Sequence, residues 1–208
     1  MPNALRNLIM DRKGKFVCLE GLDGCGKTTQ AKLLVSRLEN AYNAIYTAEP
    51  SSGRIGQFIK EYCLDAGQRG STIVEALLFA ADRLEHVNSE ILPAVNAGRL
   101  VVSDRYVYSS YAYQGAAGLD LKWIERVNEH AICPDLALFI DVQPKTVVQR
   151  LKPRKSVMEN LETQRKVREV YLRFVDKGEL VRIDGNASKE KVANELLTNV
   201  LSFLEKSC

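Results

Sequence analysis

Eight residues near the start of the chain, Gly21-Leu22-Asp23-Gly24-Cys25-Gly26-Lys27-Thr28, have the types and spacing of a phosphate-binding loop, G-x-x-x-x-G-K-[ST]. Its glycines let backbone N–H groups turn inward on an anion, and the helix that should follow adds the positive end of its dipole. Lys27 is placed to bridge the β- and γ-phosphates of a nucleoside triphosphate, and the Thr28 hydroxyl to ligate Mg²⁺. Gly21 through Thr29 are therefore the expected ATP contacts.

A second set of polar residues gathers where apolar runs end. Glu20 precedes the loop, Glu49-Pro50-Ser51-Ser52-Gly53-Arg54 follows a second run, Ser103-Asp104-Arg105-Tyr106 a third, and Asp141 closes a fourth. An apolar strand ending in Asp is the arrangement that holds the hydration shell of Mg²⁺, so Asp104 is expected to act there through water. Arginines in such positions suit phosphoryl transfer between two nucleotides, because a guanidinium binds phosphate through paired bonds and draws one anion towards another. For Asp141 the sequence supports simple solvation of a strand end as well as a role in the site.

The elements that must carry these residues follow from periodicity. Buried parallel strands are expected at 15–20, 43–48, 99–103, 136–141 and 179–183, as apolar runs bounded by charged or turn residues. Helices are expected at 27–39, 54–64, 71–95, 121–132, 159–176 and 189–205, with Asp120 and Ser188 as N-caps. Alternation of this kind predicts an α/β fold, a five-stranded parallel doubly wound sheet with ligands at the carboxyl ends of its strands. No linker or repeat interrupts the 208 residues, so a single domain spanning 1–208 is expected.

Composition narrows the function. A net charge of +3 is too mild for a nucleic-acid binder. No apolar run reaches the ~20 residues that span a membrane, and Arg6 interrupts the leading segment, which lacks a signal-peptide core. Five scattered cysteines point to a reducing compartment, with the cytoplasm as the expected location. The chain has no Asn-Lys-x-Asp segment of the kind a guanine-reading GTPase would need.

Several separated motifs then resemble one family, the thymidylate kinases, P-loop enzymes that pass the γ-phosphate of ATP to dTMP. Phe16 to Gln30 is similar to that family's phosphate loop, Leu78-Phe79-Ala80-Ala81-Asp82-Arg83 to its L-F-x-A-x-R helix, and Asp104 to Gly115 to its D-R-[YH]…A-[YF]-Q-G signature. Pro134 to Val142 resembles its P-D-L-x-x-x-L-D-V strand. The resemblance implies that Phe79 stacks on thymine, Arg83 donates to the base O4, and Gln114 meets its N3 edge. It implies that Tyr113 lies against the sugar and that Asp23 accepts from the 3′-hydroxyl. Arg105 would clamp the dTMP phosphate, with Glu49, Arg54 and Ser109 also on the acceptor side.

It further implies Mg²⁺, ATP as co-substrate, a place in dTTP supply, a homodimer with 71–95 as interface, and a mobile lid near 150–160. No arginine lies inside this phosphate loop, so the cation at the migrating phosphoryl group is expected from the lid, at Arg150 or Arg154. The chain departs from the family's common E-P-G-G-T after strand two, having Glu49-Pro50-Ser51-Ser52-Gly53, and carries Lys60 where arginine is frequent. Another nucleotide or deoxynucleoside kinase, and an inactive nucleotide-binding regulator, are the readings that compete.

Overall fold

Pairing of short apolar runs explains the architecture of the computed structural model, which describes residues 13–64, 71–150 and 161–206. Five strands form one parallel sheet in the order β2-β3-β1-β4-β5: β1 Lys15–Gly21, β2 Ile45–Ala48, β3 Leu100–Asp104, β4 Leu136–Asp141 and β5 Val181–Asp184. Phe16 to Leu19, Val101, Val102 and Leu138 to Ile140 have no exposed surface, as expected for strands covered on both faces. The chain leaves β1 towards one edge of the sheet and returns past it after β3, so the order reverses beside β1, where α/β sheets bind ligands. Register completes the placement. Leu19 pairs with Asp104, Ala48 with Asp104, and Gly21 with Ile140, which brings Glu20, Glu49, Arg105 and the phosphate loop to one end.

Around the sheet run α1 Lys27–Tyr42, α2 Arg54–Leu64, α3 Thr72–His86, α4 Leu92–Asn96, α5 Val107–Ala116 and α6 Leu121–Val127. Then follow α7 Pro144–Arg150, α8 Leu161–Asp176 and α9 Lys189–Lys206. The expected caps form: Asp120 accepts from Lys122 N at 3.1 Å and Ser188 Oγ from Lys191 N at 3.3 Å. Helices α5 and α7 were not expected. The first is built from Tyr, Ser and Val, indifferent helix formers without a clean polar face, and the second spans seven residues. The helix expected at 121–132 ends at Val127, and a turn carries the chain on to Asn128 and Ala131. No helix among the described residues is long and apolar enough to cross a membrane.

Asp141 is no solvated strand end. Its carboxylate is 1% exposed and receives Arg168 Nε at 2.6 Å and Nη2 at 2.9 Å from α8, with Arg182 Nε at 2.8 Å from β5. A buried carboxylate needs such partners, and here they tie β4 to β5 and α8.

The stretch expected as one helix over 71–95 instead contains a π-helical turn, Val87–Ile91, between α3 and α4. Directly before it, the His86 imidazole is buried between Thr47 Oγ1 at 2.6 Å, Glu49 Oε1 at 3.4 Å and Glu90 Oε2 at 3.5 Å. Burial alone would lower its pKa, but bonds and charge from Glu49 and Glu90 outweigh it and push His86 to about 9. The contribution to stability is therefore complete below about 6.5 and disappears as pH rises towards 9, a difference on the order of 3 kcal/mol. Urea unfolding followed between pH 6 and 10 should show wild type losing stability through that window. His86→Asn should be less stable at pH 6 and flatter with pH; parallel curves would refute a charged His86.

Candidate active site

The phosphate loop owes its shape in part to two positions that require glycine, one for its backbone angle and one also for lack of space. Gly26 has φ 101°, a left-handed conformation in open space, so backbone strain alone requires glycine. At Gly21 (φ 153°) a Cβ would also stand 2.7 Å from Cys25 Sγ and 2.8 Å from Ile140 O. Cys25 turns its sulfur inward and is 5% exposed, part of the apolar core. Lys27 is nearly buried, its Nζ bonded to Gly21 O at 2.9 Å and Leu22 O at 2.8 Å.

Thr28 Oγ1 donates to Asp104 Oδ2 at 2.5 Å, joining the loop to the end of β3. Asp23, Gly24, Lys27, Thr28 and Thr29 share a cleft of about 410 Å³ with Glu49, Asp104 and Arg105. Sequence reasoning placed all of these in the site, and the structure brings them together.

Arg105 is the pivot of this cleft. Its φ of 74° lies in a region that non-glycine residues seldom occupy, at a cost on the order of 1–3 kcal/mol, and dense contacts hold it there. The backbone N–H donates to Leu19 O at 2.9 Å. Nη1 donates to Ser109 Oγ at 2.8 Å and Gly21 O at 3.3 Å, while Nη2 bonds Asp23 Oδ1 and Tyr113 OH. The guanidinium lies 5.0 Å from the Tyr113 ring centroid, and the Tyr113 hydroxyl also accepts from Asp23 N at 3.0 Å. Burial would raise the Asp23 pKa, but Arg105 and Lys27 outweigh it and hold the carboxylate below its usual range.

Behind Ser109 stands Glu20, fully buried. It accepts from Tyr106 N at 2.9 Å and Ser109 N at 3.3 Å through one oxygen, and from Ser109 Oγ at 2.7 Å and Tyr171 OH at 3.0 Å through the other.

A second cluster adjoins the first through Glu49. Arg83 is 1% exposed; Nη2 donates to Glu49 Oε2 at 2.7 Å and Ser110 Oγ at 3.2 Å, and Nη1 to Asn128 Oδ1 at 2.5 Å. Its Nε is a buried donor without a partner. Phe79, one turn earlier on α3, is half-buried, and Gln114 is buried on α5.

The loop after β2 is latched to α3 by means the departure from E-P-G-G-T did not disclose. Ser51 N and Oγ both bond the Asp82 carboxylate, at 2.9 and 2.5 Å, and Lys60 Nζ donates to Ser51 O at 2.7 Å. Arg54 is exposed at the start of α2 and does not line the cleft. Arg150, exposed at the end of α7, places Nη1 3.5 Å from Gly24 O, above the phosphate loop. Arg154 and most of the expected lid lie outside the described residues.

Glu20, Asp82, Asn128 and Tyr171 were not read as functional from the sequence. Of these only Glu20 carried a signal, as the acid that ends the strand before the loop.

Comparison with known proteins agrees with this geometry. A family model described as thymidylate kinase matches residues 19–196. A protein of Pyrococcus abyssi named "probable thymidylate kinase" is 45% identical over 197 residues, covering 90% of this chain and 96% of its own length. One of the same name from Thermococcus kodakarensis is 42% identical, over 91% of this chain and 98% of its own. The thymidylate kinase of a Thermoanaerobacter species is 38% identical, over 92% of this chain and the whole of its own. With the phosphate loop, the Thr28–Asp104 pair and the Arg105 pivot in one cleft, the chain belongs to the thymidylate kinase family.

Proposed function

We infer that this protein transfers the γ-phosphate of ATP to dTMP, giving ADP and dTDP. The observation that carries the reading is the contact between Arg105 and Asp23, which fastens an anion-binding guanidinium to the wall of the phosphate loop. A donor phosphate in the loop and an acceptor phosphate on Arg105 would then face each other across one cleft, and positioning supplies much of the catalysis of phosphoryl transfer. Lys27 brings its ammonium to the same cleft, where charge spreads over the phosphate oxygens. Asp23, kept ionised, accepts from the sugar 3′-hydroxyl beside Tyr113. On the base side, the unpartnered Arg83 Nε is the donor suited to thymine O4, with Phe79 as the stacking ring and Gln114 at the N3 edge.

Mg²⁺ fits the residues present. Asp104 Oδ1 is buried with no hydrogen-bond partner, a lone pair suited to metal-bound water, and the Thr28 hydroxyl lies beside the same carboxylate. Among the described residues no cluster of three or more His, Cys, Asp or Glu side chains could cage a metal, in keeping with an ion held largely by phosphates and water. When bound, the ion neutralises charge on the β- and γ-phosphate oxygens.

Two copies of the chain pair through α2 and α3. Phe58, Ile73, Val74 and Leu77 are 43–51% exposed, and Ile73, Val74 and Leu77 share one face of α3.

A coupled ADP-release assay with each nucleoside monophosphate tests the reaction. Turnover should be fastest with dTMP and absent from folded Lys27→Ala; a faster acceptor, or none, would refute the assignment. Arg150→Ala should lower kcat by roughly 10³-fold with both KM values little changed, as for arginines that act on the migrating group. A kcat within a few-fold of wild type would move that role to Arg154. In sedimentation equilibrium wild type should be a dimer and Leu77→Glu a monomer; monomeric wild type would overturn the pairing.

A further inference from the structure

We propose that Glu20 is a positioning residue for the acceptor-phosphate clamp: from the end of β1 it caps α5 and fixes, through the Ser109 hydroxyl, the direction in which Arg105 points. The proposal rests on the reading of Arg105 as that clamp.

Helix α5 begins at Val107, and its own N-cap residue, Tyr106, supplies no capping side chain. Glu20 Oε1 accepts from Tyr106 N at 2.9 Å and shares Ser109 N, at 3.3 Å, with Tyr106 O, at 3.0 Å, so a carboxylate from another element takes part in the capping. Its charge also complements the positive end of the helix dipole. Ser109 is where the cap reaches the clamp. A serine hydroxyl has one proton to give and two lone pairs to offer. The proton goes to Glu20 Oε2 at 2.7 Å, which leaves a lone pair for Arg105 Nη1 at 2.8 Å. Tyr171 OH, from α8, donates to the same Glu20 oxygen at 3.0 Å and so keeps that carboxylate from rotating. Arg105 itself sits in a left-handed conformation that its surroundings must impose. Glu20 supplies part of those surroundings from outside the cleft, since it bonds the residues one and four positions beyond Arg105.

Glu20→Gln keeps the shape but presents an N–H₂ group to one of the two donor sets. Turned towards Ser109, it removes the acceptor of the serine proton, which is then free to compete with Arg105. Arg105 would touch the acceptor directly at its phosphate and reach the sugar only through Asp23 and Tyr113, so thymidine serves as a probe that shares base and sugar with dTMP but lacks the clamped group. Calorimetric binding of dTMP and of thymidine should be compared for wild type, Glu20→Gln, Arg105→Ala and the double variant. Glu20→Gln should weaken dTMP by about tenfold, the scale of one charge-assisted bond. Thymidine binding and the KM for ATP should stay close to wild type. In the Arg105→Ala background the same change should add almost nothing for dTMP, as expected for residues that act in series.

Equal losses for dTMP and thymidine would show a merely structural residue, and a full dTMP loss in the Arg105→Ala background would show action by another route; either overturns the proposal. If Arg105→Ala alone leaves the ratio of the two affinities unchanged, the clamp reading fails and the proposal falls with it. Should Glu20→Gln not fold, Tyr171→Phe removes one of the four bonds to Glu20, together with a 3.1 Å contact to Ser109 Oγ, and keeps its ring against Phe139, whose centroid is 4.7 Å away. It should weaken dTMP selectively by a smaller factor, and an unselective or absent effect would refute Glu20 as well.

Discussion

Charges drawn into the carboxyl end of the sheet must each be met by a partner from another element, and the rest of the site depends on that requirement. Glu20, Glu49, Asp104 and Asp141 are all 6% exposed or less. Burying such groups without partners would be unfavourable, since desolvating a charge costs several kcal/mol unless it is paired or richly hydrogen-bonded. Asp141 is met by α8 and β5, Glu49 by α3, and Glu20 by α5 and α8. The helices are thereby fixed to the sheet at the edge where nucleotides bind. Asp104 Oδ1 and Arg83 Nε, on the carboxylate and the guanidinium that meet Thr28 and Glu49, are among the buried polar atoms left without a hydrogen-bond partner.

What could be read from the sequence was local. The phosphate loop is contiguous, its flanking strand and helix have the right periods, and β4 falls at 136–141 as expected. Asp104 could be found because it ends an apolar strand. The partners could not, because the pairings that organise the site span long separations: Tyr171 meets Glu20 across 151 positions, Arg83 meets Asn128 across 45, and Ser51 meets Asp82 across 31. Those distances close only when strand register and helix docking are known. Helix α5 escaped notice for a different reason, since its aromatic and β-branched residues are chosen for the site and the core rather than for helix formation.

The loop after β2, which departs from the expected E-P-G-G-T, is held in place by side-chain bonds. Where the family often has glycines, Ser51 supplies a hydroxyl and an N–H to Asp82, and Lys60 closes the loop from α2. The result holds Glu49 at the cleft wall, where Arg83 and His86 bond its two oxygens.

The central strand of the sheet is also the first to be made. On the ribosome β1 emerges long before either of its neighbours, since β3 begins at Leu100 and β4 at Leu136. Until then its apolar residues have no edge to join, and the parallel arrangement forbids a local hairpin that could shelter them. The nascent chain therefore carries an unpaired, aggregation-prone strand from the completion of β1 at Gly21 until β3 is made from Leu100 onwards. The order that places the phosphate loop at the middle of the finished sheet makes its supporting strand the segment most dependent on protection during translation.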